Sequence, residues 1–279
     1  MDRWFTYIKK RFRLIPQLIL ISGLSLIACQ TEFWHPFLFV FGGLLLFFFL
    51  LRAMDEYKDY DKDCIAHPDR PLPQGLIARG EMKRLIQSLI WVMVTYSALL
   101  GWQFSAAAGL SYLVVSAYLW AMFCEFNLSH FLSKRPLLYT ISHQLIVVPL
   151  SAFLIAARGG EPIFSIDTLL VSMVLFGGFF AYEICRKLDP AAHPILSTYP
   201  SVYGRLPTAL LAASATLILS FCGYFLGLSC VLWPIGCLLL AALVYYCLRP
   251  SKFKMVEALS TINLLACIYS LGAQTWVFS

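Results

Sequence analysis

Residues 85–124 read LIQSLIWVMVTYSALLGWQFSAAAGLSYLVVSAYLWAMFC, forty positions without one Asp, Glu, Lys or Arg. As a single helix this stretch would be about 60 Å long at about 1.5 Å per residue, twice the hydrocarbon thickness of a bilayer. It must fold back as a hairpin of two spanning helices. Residues 207–248, forty-two positions and again uncharged, repeat the pattern. Uncharged or nearly uncharged segments lie at 14–29, 37–51, 85–102, 105–124, 136–157, 163–182, 207–227, 229–248 and 258–278. That makes nine spans of about the 17–25 residues a bilayer requires, the first two being short. A run such as GGLLLFFFLL at 42–51 lacks the apolar–polar alternation of a barrel strand. The predicted fold is an all-α polytopic membrane protein, a single domain over 1–279 with nine transmembrane helices.

Composition agrees. Of 279 residues 60% are hydrophobic and 13% charged, which excludes an ordinary cytosolic enzyme and a disordered chain. Orientation follows from Lys and Arg, which favour the cytoplasmic side. Of 21 basic residues, five precede the first span, seven lie in 52–84, two at 134–135, three in 183–206 and three in 249–254. With the N-terminus inside and nine spans, all of these are cytoplasmic; Arg158 alone is outside and the C-terminus is external. The net charge of +6 is thus a topology signal spread over membrane loops, and no nucleic-acid partner is expected. The basic start from Arg3 to Arg13, followed by Leu26-Ile27-Ala28-Cys29, has the look of a lipoprotein signal. Eight further spans favour a first transmembrane helix instead. The nine cysteines form no C-x-x-C pair and read as small core residues.

Two long charged loops carry the chemistry. In the first, 54–84, Asp55, Asp59 and Asp63 are spaced i, i+4, i+8, with Glu56 beside them. On a continuing helix these carboxylates form one acidic stripe at the membrane surface. Their mutual repulsion is relieved by a hard divalent cation with oxygen ligands or, in the plainer alternative, by Lys58, Lys62 and solvent. Asp61 lies off the stripe. Pro68, Pro71, Pro73 and Gly75 then make a turn-rich loop, and Arg70 within it is placed to meet an anion. The second loop, 183–206, opens with Glu183, Arg186 and Lys187. Glu183 and Lys187 have the spacing of a helical ion pair. Alternatively, Glu183 faces the acidic stripe while Arg186 or Lys187 points at a phosphate. Each loop follows a span and precedes an uncharged hairpin, with Glu56 and Glu183 127 residues apart, consistent with a duplicated unit. Within the spans, Glu125, Asn127, Ser142 and His143 are isolated polar groups; His143 would either pack structurally or serve an acceptor.

The first loop resembles the signature of the UbiA superfamily of intramembrane prenyltransferases, N-D-x-x-D-x-x-x-D followed by R-P and a glycine. Asp55 takes the Asn place, Glu56, Asp59 and Asp63 the three Asp places, and Arg70-Pro71 and Gly75 the R-P-x-x-x-G element. The pair Asp55-Glu56 departs from Asn-Asp, and Tyr60 stands where many members have arginine. The second motif, usually D-x-x-x-D, is degenerate: its acidic places fall on Lys187, Pro190 and Pro194. The string Glu183-Ile-Cys-Arg-Lys is similar to a divergent bacterial branch with an E-x-x-R-K motif, which implies a bacterial inner membrane.

The resemblance implies helices around a central cavity, capped by the two polar loops, with a lateral route for lipid substrates. It implies Mg2+ on Asp55, Glu56, Asp59 and Asp63, with Glu183 as a further catalytic acid. Arg70, Arg186 and Lys187 would bind the diphosphate of a prenyl diphosphate, and the prenyl group would pass to an unidentified acceptor. Two alternatives stay open: an intramembrane terpene cyclase, or a non-catalytic relative that binds or carries a lipid or small solute. A CDP-alcohol phosphotransferase is set aside because its D-G-x-x-A-R core is absent.

Overall fold

The computed structural model describes residues 3–12, 14–29, 34–159 and 164–277. Fourteen α-helices follow one another: α1 (Arg3–Tyr7), α2 (Leu14–Ile27), α3 (Trp34–Lys58), α4 (Tyr60–Ala66), α5 (Arg79–Gln103), α6 (Ala106–Phe123), α7 (Ser129–Ser133), α8 (Pro136–Gln144), α9 (Val147–Arg158), α10 (Ile166–Cys185), α11 (Tyr199–Tyr203), α12 (Arg205–Phe225), α13 (Ser229–Leu248) and α14 (Phe253–Val277). Among the described residues eight helices are long and apolar enough to cross a membrane, counting α8 and α9 as one span of 23 residues. The first expected span forms α2, an apolar helix of 14 residues. That is about 21 Å at 1.5 Å per residue, short of a full hydrocarbon core. Arg13 and the C-terminal Phe278 and Ser279 lie outside the described residues.

Both uncharged stretches fold as the length argument requires. The first becomes the α5–α6 hairpin, turning at Phe104 and Ser105, whose hydroxyl caps α6 by accepting from the Ala108 N–H at 3.1 Å. The second becomes α12–α13, turning at Gly227 with φ 71°. The span over 136–158 carries a break that its sequence explains. Pro149 has no N–H to give the Leu145 carbonyl, so Val148 N–H takes that carbonyl in a tighter turn at 3.0 Å.

The helices close a ring. In order α2, α3, α5, α6, α9, α10, α12, α13 and α14, each packs on the next, and α14 returns against α2. Small residues set the closest approaches, as expected between helices in lipid. A Cβ on Gly109 would lie 2.7 Å from Gly101 Cα of α5, and one on Gly177 of α10 would lie 2.7 Å from the Ala215 carbonyl of α12. Tyrosine hydroxyls add cross-helix bonds: Tyr96 donates to Phe39 O at 2.9 Å and Tyr112 to Gly43 O at 2.7 Å. Outward-facing Trp91, Leu110, Leu217, Phe221 and Val244 are exposed, a surface suited to lipid rather than water.

The N-terminal segment, α1 continued by a π turn over Ile8–Phe12, is tied to the bundle by packing, with Tyr7 in the core and Phe12 edge-on to Phe49, and by ion pairs. Arg3 Nη2 pairs with Glu81 of α5 at 2.7 Å, and Arg11 Nε donates to Glu56 of α3 at 2.6 Å.

Candidate active site

The two polar loops meet at one end of the ring, where α4 touches the short turn Pro194–Leu196. Helical hydrogen bonding runs from α3 into α4 through a bend at Asp59. The Asp59 N–H bonds to Asp55 O at 2.9 Å and the Asp63 N–H to Asp59 O at 2.8 Å. The stripe therefore exists along the backbone, but its four carboxylates have three different surroundings.

Asp55 and Asp59 are exposed, one turn apart, and among the described residues neither has an ion-pair partner. Asp59 is nonetheless hemmed in by protein. Loss of hydration pushes its carboxyl up, Asp63 adds repulsion, and Lys62, Lys187 and Lys58 oppose the shift. Asp55 lies within Coulombic reach of Glu183 and Arg186. Glu56, by contrast, is 2% exposed. Its Oε1 receives Arg11 and, at 3.0 Å, Arg52 Nη2, while its Oε2 is buried without a hydrogen-bond partner. Asp63 is equally buried and takes Arg70 Nη1 on both oxygens at 2.5 Å. In this arrangement Arg70 commits its Nη1 to Asp63 and keeps 25% of its side-chain surface.

Across the junction, Glu183 near the end of α10 holds Arg186 and Lys187 of the second loop. Arg186 Nε lies 2.6 Å from Oε2 and Lys187 Nζ 2.6 Å from Oε1. Glu183 raises the pKa of the Arg186 guanidinium further. For Lys187, burial works against the charge, but Glu183 outweighs it and holds the ammonium above its usual range. Arg186 spends its Nε on Glu183, its terminal fork has no ion-pair partner among the described residues, and the side chain is 43% exposed. The ion-pair reading of this loop thus holds: Glu183 pairs with both of its neighbours.

A third group escaped the sequence reading as a group. Lys58, the last residue of α3, turns away from the stripe towards α6 and α8. Its Nζ lies 2.9 Å from Tyr139 Oη, 3.1 Å from Met122 O, 3.4 Å from Glu125 Oε1 and 3.4 Å from His143 Nε2. Glu125 is brought there by three successive left-handed residues, Glu125, Phe126 and Asn127, with φ 51°, 53° and 57°. Tyr139 and His143 stack with centroids 4.0 Å apart. Their i, i+4 spacing on α8 was the available signal. The opposite side of α8 faces the second loop, where Thr140 bonds Tyr199 and Leu137 N–H donates to Tyr203 Oη at 3.0 Å.

The donor set bears on a divalent cation. Among the described residues no three His, Cys, Asp or Glu side chains converge closely enough to form a metal site by themselves. Two open carboxylates one turn apart, facing a basic loop, fit a magnesium ion shared with a ligand's phosphates. Magnesium is commonly held by one or two carboxylates, substrate phosphates and water.

A ring of apolar helices with acidic and basic loops joined over one end defines an integral membrane protein with a polar site at one end of its bundle. The family model of the UbiA prenyltransferase family matches residues 18–262, and the chain belongs to that family. A search of curated proteins finds no match. The fold is similar to a solved structure described as digeranylgeranylglyceryl phosphate synthase in membranes. The TM-score is 0.64 and the identity 16%, over 98% of this chain and 100% of the other. That likeness is one of fold.

Proposed function

We propose that the protein ionises a prenyl diphosphate at the cytoplasmic membrane face, with magnesium, and transfers the prenyl group to an acceptor. The observation that carries this is the pair of open carboxylates, Asp55 and Asp59, set opposite Glu183, Arg186 and Lys187 where the loops join. Asp55 and Asp59 would hold the metal. Bound there with the diphosphate, magnesium would neutralise the charge that develops on the leaving group. Glu56 and Asp63 act through their arginines, Glu56 anchoring Arg11 and Arg52, Asp63 anchoring the Arg70 loop.

Arg186 and Lys187 bind the diphosphate oxygens, the guanidinium with two parallel hydrogen bonds. The allylic carbon–oxygen bond breaks with its electron pair leaving on the diphosphate. The acceptor's electron pair forms the new bond to that carbon, and the acceptor's proton is released. The apolar helices beneath the loops would enclose the prenyl chain in a cavity and keep water from the cation.

Prenyl diphosphate binding to Arg186→Lys tests the reading. The charge stays but the two-pronged grip on Glu183 and phosphate is lost, so affinity should fall about tenfold, the worth of one hydrogen bond to a charged group. Glu183→Gln should lower turnover more than binding, because Arg186 and Lys187 keep their charge and lose their aim. Unchanged affinity in Arg186→Lys together with unchanged turnover in Glu183→Gln sinks the proposal and favours a non-catalytic relative.

The proposed orientation has the N-terminus and both polar loops inside a bacterial inner membrane, following the basic residues of the loops. Gln74 is exposed in the first loop. In a background lacking the exposed Cys64, Cys124, Cys230 and Cys237, Gln74→Cys should react with an impermeant thiol reagent only in inverted vesicles. Labelling in intact cells would reverse the topology.

A further inference from the structure

We infer that Lys58, Glu125, Tyr139 and His143 form the acceptor subsite, and that it selects a neutral hydroxyl over an anionic or ether group. The inference rests on the transfer reading above and names the acceptor's chemical class.

Location comes first. The cluster adjoins the open carboxylates: Lys58 directly precedes Asp59 in the chain, and Tyr139 lies within Coulombic reach of Asp55, Asp59 and Glu183 together. A group bound at Tyr139 would therefore face the same space as the diphosphate. The cluster is also reachable, since the Lys58 and Glu125 side chains keep 17% and 26% of their surface.

Chemistry comes second. An ammonium has three hydrogens, and Lys58 Nζ has four acceptors around it: Met122 O, Tyr139 Oη, Glu125 Oε1 and His143 Nε2. It has no donor left for a ligand, and its charge is met by Glu125. His143 is fixed as well. Its Nδ1 is 2.8 Å from the Tyr139 carbonyl, which only accepts, so Nδ1 carries the proton and Nε2 presents its lone pair to Lys58. Two functions remain open to a ligand. The Tyr139 phenol accepts from Lys58 and still has its own hydrogen to donate, and the Glu125 carboxylate has lone pairs to spare.

A hydroxyl satisfies both, accepting from Tyr139 and donating to Glu125. A carboxylate or phosphate would accept from Tyr139 but meet the Glu125 charge without a free cation. An ether would leave Glu125 without its donor. Lys58 and His143 act as positioning residues, Lys58 by holding Tyr139 and Glu125 apart at fixed places and His143 by stacking on the Tyr139 ring.

The test uses three probes of one shape, 4-octylphenol, 4-octylanisole and 4-octylbenzoate, bound to the full-length protein in vesicles and corrected for protein-free partitioning. Wild type should bind the phenol about tenfold more tightly than either analogue. Glu125→Gln and Tyr139→Phe should each abolish that preference, and Tyr139→Phe, which changes no charge, should leave affinity for prenyl diphosphate within twofold. Tyr139→Phe removes one oxygen and keeps the ring stack, so it reads the subsite even where Glu125→Gln fails to fold. Equal or tighter binding of the benzoate, or a preference kept in both variants, overturns the inference. Prenyl diphosphate binding measured on the same samples reports separately on the transfer reading.

Discussion

Asp55→Ala and Asp59→Ala should each lower turnover at least about a hundredfold, the scale of losing a main electrostatic contributor to a developing charge, while leaving the fold intact. The second half of that expectation comes from the surroundings of the two residues. Both are exposed and, among the described residues, neither is ion-paired. Removing Asp59 also relieves a carboxyl that burial and Asp63 already disfavour in its charged form. Turnover with a labelled prenyl diphosphate and magnesium, read beside the unfolding temperature, measures both halves. Full activity in both variants would reduce the stripe to a solvated helix end.

Glu56→Ala should do the reverse, with stability as its largest effect. Glu56 is the shared counter-ion of Arg11 and Arg52, and removing it leaves two guanidiniums at a buried site. Breaking a buried ion pair in this way costs about 3–5 kcal/mol. The lower end applies because Arg11 and Arg52 keep 14% and 31% of their side-chain surface. The N-terminal segment should loosen at the same time, since Arg11 is one of its ion-pair anchors and Arg3–Glu81 is more exposed. Denaturant unfolding in detergent measures the loss, and protease access before Leu14 reports the loosening. A cost below about 1 kcal/mol, the range of a surface pair, would mean that Glu56 is not bound as described.

The sequence by itself determined the class of fold. An uncharged stretch of forty residues cannot cross a bilayer once, and α5–α6 and α12–α13 are hairpins because length and hydrophobicity leave no other arrangement. It also showed that the two longest runs of polar residues follow α3 and α10, because charge is scarce in the middle of a span. Only the tertiary structure decided what each charge does. Asp55, Glu56, Asp59 and Asp63 are equivalent by spacing, yet Glu56 is taken by Arg11 from a segment 45 residues away and Asp63 by Arg70. Lys58 looks like a counter-ion of the stripe, but its place at the end of α3 aims it at Glu125 in the turn after α6 and at Tyr139 and His143 on α8. Helical periodicity fixes which residues share a face. Which partner that face meets depends on long-range packing, and a buried charge is bound by whichever opposite charge packing delivers to it.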